Sequence, residues 1–120
     1  LKVLKIPNLI ILGHSNCGGV EYSYKTLTDK NNINNFEYIN KWVSCLNNAY
    51  KNIPKNLSEK EKKTFFEQEN IKQSIINLYE YEFIDKLINE NKLNVIGLWY
   101  QINSGLIKYL DNKNRFIDLD

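Results

Sequence analysis

Leu9, Ile10, Ile11 and Leu12 form an aliphatic run without alternation that ends at Gly13. A run of this kind, closed by a turn residue, predicts a strand buried in a parallel sheet. From Cys17 the period changes: Val20, Tyr24 and Leu27 recur three or four residues apart, and Gly18 and Gly19 stand where a helix would begin close to a strand or ligand. The unit reads strand, loop, helix. Asn31, Asn32, Asn34 and Asn35 mark a polar loop suited to capping the next helix, whose apolar side is Phe36, Ile39, Trp42, Val43, Leu46, Ala49 and Tyr50 before Pro54 stops it.

Ser58 followed by Glu61 predicts a capping box at the start of another helix, with Phe65, Ile71, Ile75 and Leu78 on its buried face. Phe83, Ile84, Leu87 and Ile88 form a short helical stripe broken by Asn89 and Asn91. Leu93 to Tyr100 returns to strand chemistry. Asn103, Ser104 and Gly105 separate it from Leu106 to Leu110 as a hairpin would, with Gly105 free to take a positive φ, and Phe116 to Leu119 extends the edge. The pattern predicts one α/β domain over 1–120, a mostly parallel sheet flanked by helices and ending in a β-hairpin, with no repeat and no linker.

Composition narrows the functional classes. With 42% hydrophobic residues in 120, the chain can withdraw roughly two thirds of its unfolded surface from water, enough for a core of its own. Its longest aliphatic run is four residues, against roughly 20 for a membrane-spanning helix. Sixteen basic and 14 acidic side chains are scattered, for a net charge of +2, so neither nucleic acid nor a lipid surface is an implied partner. Two cysteines, Cys17 and Cys45, without a signal peptide suit a reducing, cytoplasmic setting. The 19 Asn, 15 Lys and 15 Ile look like the codon bias of an AT-rich genome, so single surface Asn and Lys residues carry little information. The chain contains no Met and opens on an apolar pattern already running, which predicts that further residues precede Leu1 in the natural protein.

The candidate chemistry lies in Gly13-His14-Ser15-Asn16-Cys17-Gly18-Gly19, which holds the only His of the chain and a Cys at a helix start, where the dipole favours negative charge. Imidazole and thiolate are zinc donors, and an H-x-x-C step lets a loop and a first helical turn present both to one ion, although two donors alone do not hold it. By spacing alone, a polar loop His and a small buried Cys remain the commoner reading. Cys45 sits in an apolar stripe, as an inert, buried or half-buried thiol would. The glycines lack the Lys-Ser or Lys-Thr of a Walker phosphate loop. Trp99 and Tyr100 read as core, and Glu67 and Glu69 as solvated or helix-pairing groups.

His14-Ser15-Asn16-Cys17-Gly18-Gly19-Val20 after an aliphatic strand resembles the zinc motif of the β-class carbonic anhydrases. Glu67-Gln68-Glu69-Asn70-Ile71 with Gln73, Ser74, Asn77 and Leu78 is similar to that family's long helix, and Val95 to Tyr100 with Ile102 to Leu106 to its late strand and hairpin. The resemblance implies one zinc per subunit, reversible hydration of carbon dioxide to bicarbonate and a proton, and assembly as homodimers or larger. It implies His14 and Cys17 as two zinc ligands, and it places Tyr100 where some members hold a regulatory bicarbonate. The family's remaining thiolate ligand and its Asp and Arg, in a C-x-D-x-R motif, have no counterpart here: the sole Arg is Arg115. No catalytic side chain is therefore assigned within the chain, which reads as the C-terminal part of such a domain. The alternative is a non-catalytic domain in which His14 and Cys17 anchor a structural metal or only a subunit interface.

Overall fold

The computed structural model describes residues 5–29 and 36–119. Strand β1 (Asn8–His14) leads into helix α1 (Gly18–Thr28), followed by α2 (Glu37–Val43), a 3₁₀ turn (Ser44–Leu46), α3 (Asn47–Lys51), α4 (Glu59–Tyr79) and α5 (Glu82–Asn89). Strands β2 (Asn94–Gln101), β3 (Leu106–Leu110) and β4 (Phe116–Asp118) close the chain. The asparagines expected to cap α2 lie outside the described residues, and its N-cap, Phe36, makes no side-chain cap. The helix expected from Phe36 to Tyr50 is instead broken by the 3₁₀ turn: Val43, Leu46 and Ala49 are buried, whereas Phe36, Ile39 and Trp42 are exposed.

The sheet is mixed and mostly antiparallel, which corrects the mostly parallel sheet expected from the sequence. Its order is β1-β2-β3-β4; β1 pairs parallel with β2, while β2–β3 and β3–β4 are antiparallel. The reason lies in the connections. A parallel pair needs a crossover of a dozen or more residues, and only the helical stretch between β1 and β2 supplies one. The loops after β2 and β3 are short enough only to reverse direction. Nor is β1 buried on both faces: Leu9, Ile11 and Gly13 are partly covered, while Ile10 and Leu12 are 54% and 62% exposed.

Helix α4 lies against β1 and β2. A Cβ on Gly13 would stand 2.7 Å from Ile71 Cδ1, and one on Gly97 would stand 3.1 Å from both Ile71 Cγ2 and Ile75 Cδ1. The two glycines thus let α4 press its apolar stripe onto the parallel pair. On the other side of α4, Val20, Tyr24, Val43, Leu46, Ala49 and Phe66 form the core. The expected capping box is present: Ser58 Oγ accepts from the Glu61 N–H, and the Glu61 carboxylate accepts from the Ser58 N–H at 2.9 Å.

Tyr24 spans this core and reaches its edge, where its hydroxyl donates to Glu59 Oε2 at 2.8 Å. Burial, followed by the adjacent Glu59 carboxylate, pushes its phenol up to about 12 from the usual 10.0. Unfolded chains release this proton at lower pH than folded ones, so the contribution of Tyr24 to stability is intact below about 10 and is lost as pH rises toward about 12. In a tyrosinate absorbance titration, Tyr24→Phe should remove a late-ionising step. It should also reduce the fall in melting temperature across that window; an unchanged titration would contradict the assignment.

Candidate metal centre

The residues after β1 are tied to the end of β2. His14 stands opposite Tyr100 in the parallel register; the Ser15 N–H donates to the Tyr100 carbonyl, and Ser15 Oγ accepts from the Ile102 N–H, both at 2.9 Å. Asn16 takes a left-handed conformation with φ 55°, which a short polar side chain tolerates better than most. This reverses the chain so that Cys17, with φ −69° and ψ 116°, becomes the N-cap of α1 and its carbonyl accepts from the Glu21 N–H at 2.9 Å. His14 is exposed and Cys17 half-buried.

His14 Nδ1 lies 2.9 Å from the Ser15 carbonyl oxygen. A carbonyl only accepts, so Nδ1 carries the proton in this bond and the lone pair is left on Nε2. That is how metal-binding imidazoles are commonly oriented. Imidazole Nε2 and the Cys17 thiol, three residues apart across the turn, are chemically suited to zinc and amount to half of a tetrahedral set. Among the described residues no group of three or more His, Cys, Asp or Glu side chains could hold a metal ion. Cys45 does not complete one. It is exposed rather than buried or half-buried as expected, its Sγ donates to the Trp42 carbonyl at 3.0 Å, and it borders, with Cys17, a groove of about 200 Å³. Arg115 is bound to Asp111 Oδ2 through Nε and Nη2 at 3.1 and 2.9 Å, in the loop between β3 and β4.

Two sequence readings change at this site. Glu67 is not solvated: it is 7% exposed, and its Oε2 accepts from Trp99 Nε1 at 3.3 Å. Burial raises the pKa of its carboxyl, opposed by the Trp99 indole and the backbone N–H groups of Cys17 and Asn16. Glu69 does pair within its helix, with Lys72 at 3.2 Å, and accepts from Asn52. Trp99 is core at 3% exposure, but Tyr100 faces the other side of the strand and is 36% exposed. Glu67 had a signal in the sequence, since it precedes Ile71, Ile75 and Leu78 on one helical stripe, where a carboxylate is out of place. Together Asn16, Cys17, Val20, Glu67 and Trp99 border a cavity of about 160 Å³.

An open-sided α/β unit with candidate ligands on the turn that follows a parallel strand defines an α/β protein whose site opens at the carboxyl ends of its strands. A profile of the carbonic anhydrase family matches residues 1–107, and the chain belongs to that family, in its β class. It is 30% identical over 108 residues to beta carbonic anhydrase 3 of Arabidopsis thaliana, covering 88% of this chain and 42% of the plant protein. It is 29% identical over 117 residues to a carbonic anhydrase of Helicobacter pylori, covering 94% and 52%. Among solved structures, the β-carbonic anhydrase CcaA superposes with a TM-score of 0.84 at 22% identity, over 97% of this chain and 57% of that one. One of two tetrameric β-carbonic anhydrases of Sordaria macrospora gives 0.75 at 27% identity, over 91% and 54%. The chain thus spans about half the length of the proteins it matches. No helix among the described residues is long and apolar enough to cross a membrane.

Proposed function

We propose that this chain supplies part of a site for the reversible hydration of carbon dioxide to bicarbonate and a proton, with His14 and Cys17 as two zinc ligands. The observation that carries the reading is the orientation of His14, whose Nδ1 is engaged by the Ser15 carbonyl so that Nε2 is free, on the same turn as the Cys17 thiol, in a member of this family. The 120 residues hold one His and two Cys, and Cys45 is turned to the Trp42 carbonyl. The remaining donors therefore come from outside them, and the chain acts as the C-terminal part of a β-carbonic anhydrase domain. Family membership and the tetrameric relative also support a homodimer or larger assembly.

Zinc, when bound, acts as a Lewis acid that brings the ionisation of water toward neutral pH and so makes a nucleophile available. The chain's own residues do the rest. Ser15 fixes the imidazole by its carbonyl and ties the turn to β2 through its N–H and hydroxyl. Val20 and Trp99 border the cavity beside Cys17 together with mostly polar side chains, Glu21, Lys63, Glu67 and Gln101 among them. As a ligand, His14 is not available to carry protons, so the released proton passes to solvent or buffer.

The test is stopped-flow proton release on mixing with dissolved carbon dioxide, with zinc content determined after dialysis against a mild chelator. It is run on the 120-residue chain and on a version extended upstream in its natural reading frame. The short chain is expected to retain little zinc and show no turnover, and the extended chain one zinc per subunit with turnover. Stoichiometric zinc and activity in the short chain would contradict the two-donor reading. A zinc-loaded but inactive extended chain would favour the non-catalytic alternative.

A further inference from the structure

We propose that Glu67 is a positioning residue of this site: reaching from α4, its carboxylate holds the backbone of Asn16 and Cys17 and thereby sets where the Cys17 sulfur stands relative to His14. The inference rests on the zinc reading of those two residues and adds to it a residue that touches neither metal nor substrate.

The turn needs such a hold. Ser15 ties the first part of the turn to β2, but Asn16 is left-handed and Cys17 caps α1 without any side-chain cap bond, so the second part is not braced from within. Glu67 meets the need from another element. Its carboxylate accepts from Trp99 Nε1 at 3.3 Å, the N–H groups of Asn16 and Cys17 favour its charged form, and all four residues border the same cavity. A buried carboxylate is costly unless it is engaged, and the Trp99 indole with the adjoining turn amides offsets that cost. Packing alone would be better served by another aliphatic residue on the stripe that continues through Ile71, Ile75 and Leu78. What a carboxylate adds is direction: an acceptor aimed at two consecutive amides and anchored by an indole buried in β2.

The test uses Glu67→Gln, which keeps the size of the side chain, and Glu67→Leu, which keeps the packing. Amide hydrogen exchange by NMR is measured on the metal-free 120-residue chain, and zinc affinity by chelator competition on the upstream-extended chain. In both variants the Asn16 and Cys17 amides are expected to exchange at least about tenfold faster, while amides in the middle of α4 and β2 change little. Zinc affinity should fall about 10–100-fold, the range found for groups that orient metal ligands. Unchanged exchange at Asn16 and Cys17, or acceleration spread evenly over the chain, would overturn the hold. Localised acceleration with undiminished zinc affinity would overturn its role toward the metal. If the unsubstituted extended chain binds no zinc while the acceleration stays localised, the zinc reading of His14 and Cys17 fails, and the positioning role fails with it.

Discussion

Cys17→Ala in the upstream-extended chain is expected to abolish both zinc retention and carbon dioxide hydration. Loss of a ligand should exceed the about 10–100-fold that a ligand's supporting groups are worth, because a three-donor site reduced to two no longer holds the ion. His14→Ala should behave in the same way, since it removes the nitrogen whose partner atom is engaged by Ser15. Cys45→Ala is the control and should leave zinc content and turnover nearly intact, because its thiol is exposed and bonded to the Trp42 carbonyl. Metal content and initial rates on the three variants check this. Equal losses from Cys45→Ala and Cys17→Ala would reassign the ligand set.

Phe66→Ala should cost about 3–5 kcal/mol in chemical denaturation, as large-to-small changes of fully buried aromatics do. Phe66 has no exposed surface, and its ring centroid lies 5.8 Å from that of Tyr50 and 6.3 Å from that of Tyr24. Against a typical stability of about 5–15 kcal/mol, such a loss leaves much of the population close to unfolding. It also loosens α4 one residue from Glu67, so faster exchange at Cys17 should accompany it. Phe65→Ala, at a half-buried position, should cost clearly less. Equal costs would mean that the core is centred elsewhere on α4.

The contrast between Phe65 and Phe66 shows where sequence periodicity stops being informative. Adjacent aromatics at a helix's inner edge differ by one step of rotation, and which of them meets Tyr24 and Tyr50 depends on how α4 is rolled against α1 and α3. Ile71 sets that roll by seating against Gly13 and Gly97, residues 84 positions apart in the chain, a juxtaposition that a local pattern does not contain. The same holds for Glu67. Its place on the Ile71 stripe is visible in the sequence, but its partner Trp99 and its place beside the Asn16–Cys17 turn arise only when the strands pair.

By itself the sequence determined the local elements and the candidate chemistry: the strand before Gly13, the H-x-x-C turn, the capping box at Ser58 and the hairpin whose Gly105 has φ 73°. Each of these depends on interactions among residues a few positions apart, which leave a regular trace in residue type. Tertiary structure alone decided the direction of the strands, the exposure of one face of β1, the side of β2 on which Tyr100 lies, and the burial of a carboxylate under the candidate ligands. Those features follow from which surfaces meet after long connections close, and from the desolvation that the meeting imposes, and neither is written in the spacing of neighbouring residues.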